Sequence, residues 1–367
     1  MDDAELGAWL RLTLTPGVGN AMARKLLAAF GLPEQVFQQP RTTLLAVVGP
    51  KLADALLSPP GDWESQWTCT RDWLAAGSDR HVLALGDPAY PPELLQTEDP
   101  PLLLYVLGQL SALQHPRRVA LVGSRSPTAQ GSENAYRFAQ HLAQAGVCVV
   151  SGLALGIDGA AHQGALDGGG PTLAVVGTGL DRVYPKRHLD LARRIAAHGA
   201  LVSEYPLGTP PVPANFPKRN RIIAGLTQGT LVVEAALASG SLITARLASE
   251  QGREVFAIPG SIHAPQSKGC HALIRQGAKL VESAQDVLED LRFVMPGNAG
   301  SAAVPTPALD EDSALLQALG HDPVGLDALQ ARTGLDTPRL QAELLELELD
   351  GQVQRLPGGL FQRCGMS

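Results

Sequence analysis

Cysteine is scarce in this 367-residue chain: Cys69, Cys148, Cys270 and Cys364 are scattered, with no CxxC pair and no metal-ligand spacing. They read as buried free thiols, and neither a disulfide framework nor a resident metal is expected. Long apolar runs are absent too. No stretch of 18 apolar residues occurs, which argues against a membrane partner. The opening MDDAELGAW has no basic segment followed by an apolar one, so the expected location is the cytoplasm. Three nucleotide and nucleophile signatures are missing. Without GxxxxGK[ST], P-loop hydrolysis is disfavoured; without GxGxxG after the first strands, so is a dinucleotide oxidoreductase; no GxSxG elbow is present. No cofactor is expected.

Positive charge is also in short supply, with 29 Lys/Arg against 36 Asp/Glu and a net charge of −7. The net charge therefore argues against a protein coated in DNA over its whole surface. The basic residues are unevenly placed, however. Residues 116–292 hold 18 Lys/Arg and 13 Asp/Glu, leaving 11 basic and 23 acidic residues for the rest. The densest basic run is PANFPKRNRIIAGLT, residues 213–227.

What the chain does have is 45% hydrophobic content, 39 glycines and 28 prolines, enough for two or three cored domains with many tight turns. Residues 1–75 read as small helices. TPGVGNAMARKLLAAFG and AVVGPKLADALLS repeat one plan, with Leu26 and Leu27 after Gly19 and Leu56 and Leu57 after Gly49. This spacing suggests two helix-hairpin-helix units. They can offer backbone N–H groups to a phosphate or serve only as packing.

From about His81, nine short β-rich runs alternate with helical segments: HVLALG, LLLYVLG, RVALVG, VCVVSG, TLAVVG, ALVSEYP, TLVVEAA, EVFAIPG and AKLVES. Continuously apolar strands between helices imply a doubly wound, mostly parallel α/β sheet, with ligands at the carboxyl ends of its strands. Residues 293–309 read as a Pro/Gly/Ala/Ser linker. Residues 310–367 read as three helices and a hairpin, a winged-helix pattern, with ten acidic and four basic residues. Its third helix carries Glu343, Glu346, Glu348 and Asp350, a poor match to a DNA groove, so a protein-contact or structural role is expected.

Five strand-end turns carry the chemistry. In RVALVGSRSPTAQG, Gly123, Ser124 and Arg125 precede a helix that Ser126 is expected to cap, with Pro127 at its first position. Arg125 can close over an anion held at that helix N-terminus or pair with a local carboxylate. In VVSGLALGIDGAAHQGAL, Ser151 and Gly152 begin a second glycine-rich turn. Asp158 and His162, four apart, read as a structural helix pair. Lys186 and Arg187 follow a Tyr-Pro corner, as a basic lip or a solvated face. In NFPKRNR, Asn215 is expected to cap, Phe216 to stack, Lys218, Arg219 and Arg221 to contact phosphates, and Asn220 to donate to a phosphate or base edge. The fifth turn is Ser239, Gly240 and Ser241, near the carboxylate of Glu234. Anion donors without an obvious nucleophile–base pair favour binding over catalysis. The enzymatic alternative is a phosphoribohydrolase-like nucleotide chemistry using Glu234.

The serial motifs VALVGSRSPTAQG, SGLALGIDGAAHQGAL, VVGTGLDRVYP, SEYPLGTPP, NFPKRNRIIAGL, VVEAALASGSLITARLASEQGREVFAIPG and SKGCHALIRQGA resemble, in order and spacing, the DprA/Smf family of DNA-processing proteins of bacterial natural transformation. The resemblance covers about residues 80–292. It implies an extended Rossmann-like domain that binds and protects incoming single-stranded DNA and helps load a RecA-type recombinase, without catalytic turnover. Carried over, the DNA residues are Gly123, Ser124, Arg125, Lys186, Phe216, Lys218, Arg219, Asn220 and Arg221. A homodimer contact is implied near GCHALIRQGAKLV. An apolar edge of an open sheet needs covering, which places His271, Ile274 and Leu280 at the expected two-fold interface.

Overall fold

The structure is a computed structural model that describes residues 1–293, 314–319, 323–356 and 359–363. All nine apolar runs form strands: β1 (Arg80–Ala84), β2 (Leu103–Gly108), β3 (Arg118–Val122), β4 (Cys148–Ser151), β5 (Thr172–Val175), β6 (Ala200–Ser203), β7 (Gly229–Val232), β8 (Glu254–Ala257) and β9 (Lys279–Leu280). They make one sheet in the order β1-β2-β6-β5-β4-β3-β7-β8-β9. Pairing is parallel from β6 through β9, while β1–β2 and β2–β6 are antiparallel. The chain winds outward from β3 through β4 and β5 on one side and through β7 and β8 on the other. The β3–β7 boundary is therefore the switch point at which a doubly wound sheet opens a crevice.

Helices α1 (Asp3–Leu14), α2 (Asn20–Phe30), α3 (Pro33–Phe37), α4 (Arg41–Val47), α5 (Pro50–Leu57) and α6 (Trp63–Ala75) precede the sheet. The rest of this part contributes α7 (Pro92–Leu95), α8 (Leu110–Leu113), α9 (Ala129–Gln144), α10 (Ile157–Asp167), α11 (Leu189–His198), α12 (Asn215–Gly225), α13 (Ser241–Glu250), α14 (Lys268–Arg275) and α15 (Ala284–Asp290). The two-residue alternation of a strand decides which helix each residue meets. Ala120 and Val122 join the core under α12 and α13, with Ile222, Ile223 and Ala245. Val119 and Leu121 join the opposite core, with Phe138 of α9 and Ile157 and Ala161 of α10.

Residues 1–75 are not packed as a separate body. Trp9, Leu10, Leu26 and Leu56 share a core with Val82, Tyr105 and Ile195, and the compact unit runs Met1–Val294. The repeat does hold locally. Gly19 and Gly49 stand at the N-termini of α2 and α5, and Leu26 and Leu56 are buried at matching positions.

The second unit is Met295–Ser367. It contains α16 (Ala314–Leu319), β10 (Val324–Gly325), α17 (Leu326–Thr333), α18 (Thr337–Leu349), β11 (Val353–Leu356) and β12 (Leu360–Arg363), with strand order β10-β12-β11. Leu340 and Leu344 face its core, leaving Glu346, Glu348 and Asp350 exposed, while Glu343 pairs with Arg339 at 3.1 Å. This is the winged-helix arrangement with an acidic third helix. The 293–309 linker lies, except for Phe293, outside the described residues, as does Cys364. Of the other thiols Cys148 and Cys270 are buried, but Cys69 is exposed, a correction to the expectation for all four. Among the described residues no helix is long and apolar enough to cross a membrane, and no cluster of metal-ligating side chains occurs.

Candidate nucleic-acid interface

A cavity of about 460 Å³ opens at the carboxyl ends of β3 and β7, at the switch point. Its walls come from three of the expected turns and from α12. Gly123 leaves β3 where a Cβ would strike Ile157 and the carbonyl of Glu234, so only glycine lets the turn sit this close. Ser126 N donates to Ser124 Oγ at 3.1 Å, which tightens the turn. The helix that follows is capped by Thr128, whose hydroxyl accepts from Gly131 N at 2.9 Å. Ser126 and Pro127 therefore precede the cap, a correction of two residues.

Glu234 explains that shift. Its carboxylate accepts from Thr128 N at 2.9 Å and from Thr128 Oγ1 at 2.5 Å, across the end of the sheet. Gly131 is required beneath it, since a Cβ there would meet the carboxylate. Glu234 is thus a strut at the N-terminus of α9, outside the cavity lining. A carboxylate with both oxygens engaged this way is poorly placed as a general base on a nucleotide.

The basic run is helical, and this reorganises it. At 100° per residue, Phe216, Arg219, Asn220 and Ile223 (i, i+3, i+4, i+7) form one stripe, and all four line the cavity. Lys218 falls on the solvent side and is exposed. Arg221 points to the opposite side. It is 11% exposed and pairs with Glu204 at 2.5 Å and Asp99 at 3.0 Å. Asp99 in turn accepts from Asn20 Nδ2 at 3.2 Å and pairs with Arg24 at 3.5 Å, both on α2. The phosphate role expected for Arg221 is corrected: its charge is consumed inside the protein. Asn215 does not cap α12 either; it is the helix's first residue, and its Nδ2 donates to Gly177 O at 3.1 Å.

Arg219 is the buried cation of the site, 4% exposed. Its Nη1 donates to Val175 O and its guanidinium lies over Gly152, where any Cβ would collide with it. Burial lowers its pKa to about 10, so it remains charged at neutral pH; nearby Asp158 opposes that effect and Arg125 reinforces it. Asp158 accepts from Gly152 N at 3.1 Å and Ala154 N at 3.2 Å, fixing the β4–α10 turn. Burial pushes its carboxyl pKa up, against the pull of Arg219. Gly152 therefore serves as a slot for Arg219 rather than as a ligand contact. Ser151 is also corrected: it is fully buried and its hydroxyl donates to Leu121 O at 2.6 Å. His162 packs separately, with Nδ1 2.8 Å from Thr172 Oγ1, and burial drives its pKa down to about 3.

The opposite wall is the N-terminus of α13. Gly240 stands at the cap position without a side-chain hydrogen bond, Ser239 and Ser241 hydroxyls are 2.6 Å apart, and Asn220 Nδ2 donates to Gly240 O at 3.3 Å. Among the described residues neither Arg125 nor Arg219 forms an ion pair; the carboxylate in the cavity lining is Asp158, which acts on Arg219 but accepts from Gly152 N and Ala154 N, and at the α13 end Ser241 N donates to Ser239 Oγ at 3.3 Å. Arg125 is exposed and its guanidinium carbon is 5.9 Å from the centre of the Phe216 ring. Lys186 is exposed and lies outside the cavity wall, on a short turn whose His188 donates from Nδ1 to Leu153 O at 3.0 Å. Asp158 and Tyr184 lie outside the sequence-based expectations for binding. The tight coupling of Gly152 and Arg219, 67 positions apart, leaves no local signal in the sequence.

Residues 81–292 match the family of DNA recombination-mediator protein A, and residues 299–359 match the DprA winged helix domain. The chain belongs to the DprA/Smf family. It is 46% identical over 300 residues to protein Smf of Escherichia coli, covering 78% of each chain. It is 51% identical over 207 residues to the DNA processing protein DprA of Streptococcus pneumoniae, covering 56% of this chain and 73% of that one. The solved structure of Streptococcus pneumoniae DprA aligns with a TM-score of 0.63 at 39% identity, covering 79% of this chain and 98% of that one. DNA processing protein A of Helicobacter pylori, solved with regard to its single-stranded DNA binding mode, aligns with a TM-score of 0.53 at 30% identity, covering 58% and 95%. The DprA/Smf fold accounts for the extended Rossmann-like sheet and the winged helix.

The expected dimer residues lie together at the far edge of this sheet. Leu280 is 45% exposed on β9, Ile274 rests against the core under α14, and His271 donates from Nε2 to Gly260 O at 2.9 Å.

Proposed function

We propose that this DprA/Smf protein binds single-stranded DNA through the switch-point cavity. The observation that carries the reading is the pair of arginines, one buried and one exposed, that line the cavity without an ion pair among the described residues, beside a single carboxylate, Asp158, whose pKa burial raises. A phosphate supplies the missing charge. Phe216 beside Arg125 gives a base a face to stack on, a feature a free phosphate site does not need. Lys218, exposed beside Arg219 on α12, and Lys186, exposed two residues after the Tyr184 that touches Phe216, add backbone contacts. The acidic remainder of the chain discourages DNA from settling elsewhere. The engagement of Glu234 at α9 supports binding without turnover.

The same reading extends to a cytoplasmic homodimer, joined through the edge at Leu280 and Ile274, that protects incoming strands and hands them to a RecA-type recombinase in transformation. The exposed edge strand supports the dimer; the recombinase role rests on the family resemblance. The test is a salt titration of the full chain on single- and double-stranded oligonucleotides of equal length. With four cations engaged, the single-strand log–log slope should be about −3. Equal affinity for both forms, or a slope near zero, would remove the proposal.

A further inference from the structure

We propose that Tyr184 is a base-stacking subsite, which receives the nucleotide adjoining the one whose phosphate occupies the cavity. The inference rests on the single-stranded DNA reading and adds a residue to it. Phe216 has Arg125 over its ring and Tyr184 against it, the Tyr184 ring centre lying 5.5 Å away at an interplanar angle of 38°. The Phe216 ring also rests on Gly177, where a Cβ would stand 3.2 Å from it. Phe216 is half-buried and lines the cavity, while Tyr184 is 48% exposed. Among the described residues the Tyr184 hydroxyl makes no hydrogen bond, and the ring's aromatic contact is Phe216. A large, half-exposed aromatic with one face already backed by another ring is a stacking plate waiting for a third.

Geometry limits how a base can use it. Insertion between two rings needs about two stacking intervals of roughly 3.4 Å. At 5.5 Å, Phe216 and Tyr184 already touch, so the base must lie on the outward side of Tyr184. Lys186 follows two residues on in the chain and is exposed. The corner is held firmly. His188 of the same turn donates to Leu153 O, and Leu153 is fully buried with φ 59 in the turn that also carries Gly152 and Asp158. Arg125, Phe216 and Tyr184 therefore lie in series beside the cavity, with Lys186 two residues farther along the chain. Stacking of this kind accepts any base, so the subsite selects unpaired strands rather than a sequence.

The experiment uses the full chain and fluorescence anisotropy with an oligothymidylate, alongside a strand of the same length built wholly of abasic units. Tyr184→Ala should bind oligothymidylate about tenfold more weakly, with the salt slope unchanged. Tyr184→Phe should bind like the parent. On the abasic strand Tyr184→Ala and the parent should be equal. Unchanged affinity of Tyr184→Ala for oligothymidylate, or an equal loss on both strands, overturns the subsite while leaving the cavity reading intact. Failure of the parent itself to bind oligothymidylate overturns both.

Discussion

The split of NFPKRNR into a cavity face and a buried face makes a quantitative claim about two arginines. Arg221→Ala removes a side chain that is 11% exposed and leaves Glu204, 7% exposed, without its partner. Breaking a buried pair in this way costs about 3–5 kcal/mol, because the surviving charge stays desolvated. Asp99 is 37% exposed and adds little, since water can take over its solvation. At about 2–4 °C per kcal/mol for a unit of this size, the melting temperature should fall by roughly 6–20 °C. Below that transition, the salt slope for single-stranded DNA should match the parent. Arg125→Ala should do the reverse. It is exposed and forms no ion pair among the described residues, so its melting point should stay within about 2 °C. Losing one phosphate contact should flatten the slope by about 0.7. Calorimetry and anisotropy from about 50 to 200 mM salt measure both quantities on the same samples. If Arg221→Ala flattened the slope by that amount and melted normally, the internal role assigned to Arg221 would be wrong.

Gly152→Ala should weaken DNA binding at least tenfold by displacing the Arg219 guanidinium, while Gly169→Ala, in open space but at φ 76, should cost only modest stability and leave binding intact; equal binding in Gly152→Ala and parent would refute the slot. His162 has a folded pKa of about 3 against 6.5 unfolded, so the unfolded state takes up the proton first as pH drops. Its contribution to stability is complete above about pH 6.5 and is lost as pH falls toward 3, at up to about 1.4 kcal/mol per pH unit; denaturant titrations of His162→Gln should show a shallower acid limb. Leu280→Asp changes an exposed edge residue, so it should stay folded and run as a monomer by light scattering. A persisting dimer would place the interface elsewhere.

Much of this was legible before any coordinates. The central strands could be read because each is a short apolar run buried on both faces, as parallel strands need, while β9 at the open edge is exposed. The strand-end turns were marked by glycines whose role is close approach, as at Gly123. What the sequence hid was direction and partnership. Four charged or amide side chains in six residues look like one patch until helical geometry sends Lys218 outward and Arg221 inward. The partner that claims Arg221, Asp99, is 122 positions away. The cap of α9 moved from Ser126 to Thr128 because Glu234, from the end of β7, reaches across to hold Thr128. The boundary near residue 75 looked like a domain edge because helices give way to strands there. The cores, however, run through it: Tyr105 and Trp9 pack into the same cluster.

The carboxylate of Asp99 stands between Asn20 and Arg24 on α2 and Arg221 on the back of α12, whose front carries Phe216 and Arg219. The N-terminal helices therefore brace the cavity wall from behind. This governs how the protein can be dissected and recombined. A chimera that borrows its first 75 residues from a relative must bring residues at positions 20 and 24 that can meet Asp99, or the wall loses its brace. A chain cut after residue 75 would strip Tyr105 and Val82 of their cover, and its failure to hold DNA would say little about whether those helices touch the strand.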